Sequence, residues 1–172
     1  MLVGKNITLR PILLEDLPYL NAWKNDYLVF RNLGGGYQPI SIDQQKEWMN
    51  NMIDLTGNSK RLIIEKDDTP IGMIGLYDIN YINRNCEFGI YIGEEKYHGK
   101  GYGTEATEKI LNYAFNNLNL EKVKLLVNQG NPAIKMYERL GFHEVGWLKK
   151  ERFVEGNYVD VLMMEKLKDE CE

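Results

Sequence analysis

The stretch that most restricts how this chain can fold is Ile90-Tyr91-Ile92-Gly93-Glu94-Glu95-Lys96-Tyr97-His98-Gly99-Lys100-Gly101-Tyr102-Gly103-Thr104. An apolar run with strand character enters a turn carrying Gly99, Gly101 and Gly103, and a helical pattern leaves it from about Thr104. Glycines at that spacing strip side chains from the turn, so successive backbone N–H groups can converge on an anion. The helix that follows adds its own unpaired N–H groups and the positive end of its dipole. The unit therefore reads as a phosphate or pyrophosphate cradle. It is not a Walker A loop, because Lys100 lies between glycines instead of after them. It is not a dinucleotide fingerprint either, because Gly101-Tyr102-Gly103 lacks a third glycine at the right offset.

The elements around the cradle follow from periodicity and turn chemistry. Ile7 to Arg10 reads as a first strand closed by Pro11, and Glu15-Asp16-Leu17-Pro18 as a helix start. Ser41 and Gln44 form a capping box that opens a second helix with Trp48, Met49, Met52 and Ile53 on one stripe. Three strands follow: Leu62 to Ile64, Ile71 to Ile79 and Cys86 to Ile92. After the helix from Thr104 to Asn117 come a strand (Lys122 to Asn128), a short helix (Ala133 to Leu140, stopped by Gly141) and a final hairpin. The hairpin strands run from Trp147 to Val154 and from Tyr158 to Lys166. The order β-α-α-β-β-β-α-β-α-β-β predicts an α+β fold, a mixed sheet of about seven strands flanked by about four helices.

At 172 residues the chain suits a single domain, 1–172. It has no apolar run of membrane-spanning length and no signal-peptide pattern. Its two cysteines, Cys86 and Cys171, are too few for a disulfide framework and lack metal-site spacing, so a reduced cytoplasmic protein without a bound metal is expected. A net charge of −4 with no basic stripe argues against nucleic acid as a ligand.

Beyond the cradle, His98-x-x-Gly101-x-Gly103 and the run Ala133, Ile134, Tyr137, Gly141, Phe142 are two motifs that occur together in one family. With the opening Leu9-Arg10-Pro11 and the closing Gly156 and Asp160-Val161-Leu162-Met163-Met164, the chain resembles the GNAT acetyltransferase superfamily over its whole length. The branch it resembles holds ribosomal-protein N-terminal acetyltransferases and spermidine/spermine acetyltransferases. His98 stands where the family more often has Gln or Arg. Asn131 lies one residue closer to Ala133 than the family's asparagine, which leaves Asn128 as a competing candidate for its role.

The resemblance implies an acetyl-CoA-dependent N-acetyltransferase in which an amine attacks the thioester directly. Ile90, Tyr91 and Ile92 are the expected splayed strand that pairs with pantetheine and supplies an oxyanion N–H. His98, Gly99, Lys100, Gly101, Tyr102, Gly103, Thr104 and Asn131 are the expected cofactor contacts, and Tyr137 takes the general-acid position. Glu87 is the candidate base or ammonium ligand, in a region where Leu125 and Leu126 occupy the following strand. A base matters because deprotonating a lysine-like amine at pH 7 costs roughly 4–5 kcal/mol, against about 1–1.5 for an α-amine. His98 and His143 are poorly placed as bases.

The acceptor is expected to sit against the first two helices, the loop Phe30 to Ile40 and the Gly156 hairpin. Tyr27, Phe30, Tyr37 and Trp48 are candidate lining residues, although the spacing of Trp48 suits a core residue. A protein N-terminus, a polyamine and an amino sugar all remain open as acceptors. The acids Asp26, Glu47, Asp54, Glu87 and Asp160 are expected to gather near the acetyl end if residual acidity attracts the amine. Assembly as a homodimer is left open. The competing reading is a non-catalytic acyl-CoA sensor of the same fold.

Overall fold

The computed structural model describes residues 1–168, so Cys171 lies outside the described residues. The eight strands are β1 (Leu2–Val3), β2 (Thr8–Pro11), β3 (Lys60–Lys66), β4 (Thr69–Asn80), β5 (Asn85–Ile92), β6 (Lys122–Asn128), β7 (His143–Val154) and β8 (Asn157–Leu167). They form one sheet in the order β1-β2-β3-β4-β5-β6-β8-β7. Every neighbouring pair is antiparallel except β5 and β6, which run parallel. The helices are α1 (Leu17–Lys24), α2 (Tyr27–Phe30), α3 (Ile42–Met52), α4 (Tyr102–Asn112) and α5 (Ala133–Arg139).

Period-two alternation divides the apolar residues between two layers. On one face Ile63 and Met73 pack with Ile12, Leu20, Trp23 and Met49, covered by α1 and α3. On the other, Ile64, Ile74, Phe88, Val123 and Leu125 pack with Ala106 and Ile110 of α4 and with Tyr137 of α5. The Ser41–Gln44 capping box forms as its spacing predicts: Gln44 N–H donates to Ser41 Oγ (3.1 Å), and Ser41 N–H donates to Gln44 Oε1 (2.9 Å).

The architecture exceeds the expected element count by β1 and α2. β1 has only two residues and α2 one turn, both below the length at which periodicity registers. α2 begins at Asp26, whose carboxylate accepts the Leu28 N–H (2.8 Å). Asp67 and Asp68 take positive φ (47° and 59°), giving a two-residue hairpin turn. β4 therefore starts at Thr69 and takes in Pro70, ahead of the start expected at Ile71. α4 starts at Tyr102, earlier than Thr104, because Gly101 (φ 84°) occupies the N-cap. It runs into a widened i→i+5 turn over Tyr113–Asn117. No helix among the described residues is long and apolar enough to cross a membrane.

Candidate active site

β5 and β6 stay together only briefly. Their parallel pairing covers Asn85, Cys86 and Glu87 against Lys122, Val123 and Lys124, after which they diverge and leave a gap beside Phe88–Ile92. The Gly93 N–H donates to Ile71 O on the β4 side (2.8 Å). Alternation along an antiparallel ladder then directs the Tyr91 backbone toward its partner Met73 in β4 and the backbones of Ile90 and Ile92 into the gap. His98 Nε2 donates to the Ile92 carbonyl (3.0 Å), which leaves the Ile90 main chain and the Ile92 N–H facing the gap. Of the three strand residues expected to meet a cofactor through the backbone, Tyr91 is thus differently engaged. It presents a partly buried ring to Trp23 and Phe30, with centroids at 6.0 and 5.3 Å.

At the end of β5 the cradle has the expected shape. Gly99 (φ 69°) and Gly101 (φ 84°) adopt left-handed conformations, with no atom within 4 Å of where a Cβ would stand. The requirement there is conformational and not steric. No side chain caps α4; its ladder begins with Glu105 N–H to Gly101 O (3.0 Å). The N–H groups of Tyr102, Gly103 and Thr104 consequently lack intrahelical acceptors and point out of the helix start, beside exposed Lys100. His98 contributes through its ring to the strand, and its side chain holds the loop against β5.

A cavity of about 510 Å³ opens where the gap meets the α1–α3 face. Phe88, Ile90, Leu125, Leu126 and Val127 give it an apolar floor, and Tyr137 reaches it from α5. The Tyr137 ring stands edge-on to Phe88 and Phe142 (6.1 and 5.8 Å between centroids). Burial pushes its phenol up to about 12. Among the described residues, nothing hydrogen-bonds its hydroxyl. The two asparagines differ in their contacts. Asn131 Oδ1 accepts the Ala133 N–H (2.9 Å), bracing the turn that leads into the helix carrying Tyr137. Asn128 is buried, accepts from Arg152 Nη1 (2.7 Å) and donates to Asn32 Oδ1 (3.5 Å). Both line the cavity.

Glu87 faces the cavity from β5, opposite Tyr77 of β4. The Tyr77 ring lies over Gly75 and Gly89; a Cβ at Gly75 would come within 2.6 Å of it. The Arg61 guanidinium stacks 4.7 Å from Tyr77 and 5.9 Å from Trp48. Trp48 therefore belongs to the cavity wall and not to the core alone, as does Phe30. Tyr27 and Tyr37 pack on each other (5.3 Å), the Tyr37 hydroxyl donates to Asn25 O (3.1 Å), and neither lines the cavity. From the hairpin, Arg152 reaches the cavity and Gly156 does not.

The expected gathering of acids does not occur. Asp26 caps α2, Asp54 accepts from Thr56 (2.8 Å to its N–H), Asp160 pairs with Lys149 (2.8 Å), and Glu47 is exposed outside the cavity. Local turns, a cap and a surface pair consume those carboxylates, and Glu87 alone lines the cavity among the described residues. Sequence reasoning missed Lys24, Gln45, Arg61, Tyr77 and Arg152, which do line it. Gly75 and Gly89, interior to strands, were the available sign of a close approach by a large side chain.

Comparison with known proteins agrees with this geometry. The family described as the Acetyltransferase (GNAT) domain matches residues 6–143. The chain is 34% identical over 166 residues to the spermidine N(1)-acetyltransferase of Vibrio cholerae, covering 94% of this chain and 93% of the relative. It is also 34% identical over 178 residues to the putative ribosomal N-acetyltransferase YdaF of Bacillus subtilis, covering 99% and 96%. The crystal structure of spermidine N-acetyltransferase from Vibrio cholerae in complex with CoA and spermine superposes with a TM-score of 0.89 at 32% identity, over 97% of this chain and 98% of that one. A family match over most of the chain, full-length relatives and a shared fold together make this chain a member of the GNAT acetyltransferase family.

Proposed function

We propose that the protein moves the acetyl group of acetyl-CoA to a primary amine by direct attack, with Tyr137 as the proton donor to the leaving sulfur. The observation that carries this reading is Tyr137, which lines the cavity at the mouth of the β5–β6 gap with its hydroxyl bonded by none of the described residues. Acetyl-CoA supplies the activated acyl group. The Gly99–Thr104 cradle and the first turn of α4 suit its pyrophosphate, and the open main chain of Ile90 suits its pantetheine arm and the developing oxyanion. The bound CoA of the Vibrio relative supports that assignment.

A phenol near 12 looks too weak an acid for a thiol whose ordinary pKa is near 8.5. Burial, however, acts on both groups. The buried Cys86 thiol of this same protein is pushed up to about 12, chiefly by desolvation. A sulfur leaving beside the same buried phenol is desolvated in the same direction, which narrows the gap between donor and acceptor. Glu87 is the carboxylate available to hold the acceptor ammonium or take its proton. That the Vibrio and Bacillus relatives are named for spermidine and ribosomal acceptors supports an amine as the nucleophile.

The test is free-thiol release from acetyl-CoA with an amine panel. Wild-type protein turns over at least one amine, and Tyr137→Phe keeps CoA affinity while losing about 10²-fold or more in kcat. CoA binding without transfer to any amine overturns the reading in favour of a sensor.

A further inference from the structure

The charged lining of the cavity is the wrong sign for a polycation. Lys24, Arg61 and Arg152 border it, and Glu87 is the single carboxylate facing them among the described residues. Each cation is held against a neutral group. Lys24 Nζ sits 4.4 Å over Phe30, Arg61 stacks on Tyr77 and Trp48, and Arg152 donates to the Asn128 amide. No carboxylate oxygen of the described residues lies within ion-pair distance of any of them. The cradle residues His98–Thr104 do not line the cavity, so these cations do not serve the pyrophosphate end of the cofactor.

We propose that the acceptor is a small amine that also carries an anionic group, a carboxylate or a phosphate, and that Arg61 reads the anion. This rests on the reading of the chain as an amine acetyltransferase. Lying 4.7 Å from the Tyr77 ring and 5.9 Å from the Trp48 ring, with no carboxylate partner among the described residues, the guanidinium has a fork of N–H donors suited to a planar or tetrahedral oxyanion. The amine end falls to Glu87. A polyamine brings further ammonium groups against three unpaired cations, a repulsion the cavity has only Glu87 to offset. The volume of about 510 Å³ is that of a small-molecule site.

The experiment is thiol release with the full chain and acetyl-CoA. Acceptors are spermidine, a set of α-amino acids with their amides, and amino-sugar phosphates with their unphosphorylated parents. The acid and phosphate arms separate the two sources of anion. An anionic acceptor is expected to exceed both spermidine and its own neutral counterpart in kcat/KM. Arg61→Gln lowers the ratio of kcat/KM for the anionic form to kcat/KM for its neutral counterpart by about tenfold or more, mainly through KM of the anionic form. Comparing each ratio between wild type and variant cancels intrinsic differences in amine reactivity. Lys24→Gln serves the same comparison should Arg61→Gln fail to fold. Preference for spermidine over every anionic amine overturns the proposal and leaves acetyl transfer intact. Equal losses on anionic and neutral acceptors overturn it too. Absence of turnover with any amine removes the acetyltransferase reading itself.

Discussion

Where β2 meets the first helical turn, the Arg10 guanidinium grips both oxygens of Asp16 (2.8 Å each) and donates to Glu65 as well. Asp16, 2% exposed, also accepts the Leu13 N–H (2.7 Å). In the cavity, Arg61, Arg152 and Lys24 have rings or an amide where Arg10 has carboxylates. The first group of charges is satisfied from within and resembles a structural clasp. The second has no carboxylate partner among the described residues, an arrangement that suits charge held for a bound anion. A buried cation with every donor matched ties elements together, whereas one stacked on an aromatic ring keeps its donors free. Leu9-Arg10-Pro11, part of the family pattern, thus contributes architecture through its arginine.

The difference can be broken most severely at Asp16. Asp16→Asn leaves Arg10 short of its main partner and is expected to cost about 3–5 kcal/mol in urea unfolding. A loss under about 1 kcal/mol would make the clasp no different from the cavity. Next in size is the chemistry beside the unpaired cations. Tyr137→Phe is expected to cost roughly 2.7 kcal/mol in activation free energy, the equivalent of 10²-fold in kcat, while the unfolding midpoint stays unchanged. The pH profile sharpens that point. Since the phenol is raised to about 12, kcat/KM should climb as the acceptor amine deprotonates and show no falling limb below about pH 11. A fall near pH 9 would remove Tyr137 from the acid's role.

The smallest effect is expected at Lys24, whose pKa burial lowers. Because the unfolded chain holds that proton more tightly, stability should rise with pH from the lowered folded value up to about 10.5. Lys24→Gln should flatten that slope and change stability at pH 7 by no more than a few tenths of a kcal/mol. A large loss would show that Lys24 is clasped after all.

Local features were legible in the sequence and convergent ones were not. Gly99, Gly101 and Tyr137 could be read because a turn conformation and a helix phase are properties of neighbours in the chain. Glu87 could be placed at the site because it opens the strand that faces it. The cavity cations come from α1, β3 and β7, and nothing in the surroundings of Lys24, Arg61 or Arg152 along the chain distinguishes them from surface residues. Overall charge misled for the same reason. A net −4 describes the whole surface, and Asp54 and Asp160 spend theirs on partners within a few residues or across one hairpin. The strand ends shifted where a positive φ at Asp67 and Asp68 tightened a turn that composition alone made longer.

The brief contact of β5 with β6 divides the sheet into two panels, β1 to β5 and β6-β8-β7, hinged at Asn85–Glu87. A pantetheine arm bonded to Ile90 would act as mortar between them, filling a course the polypeptide leaves out. Cohesion of the folded state then becomes a function of cosubstrate concentration, rising by RT ln(1 + [L]/Kd). Amide exchange should register this at the hinge before anywhere else. The Ile90 hydrogen slows when CoA is added, and those of Ile63 and Ile74, inside the first panel, keep their rates. On this view the molecule that delivers the acetyl group is also a removable member of the frame in which it reacts.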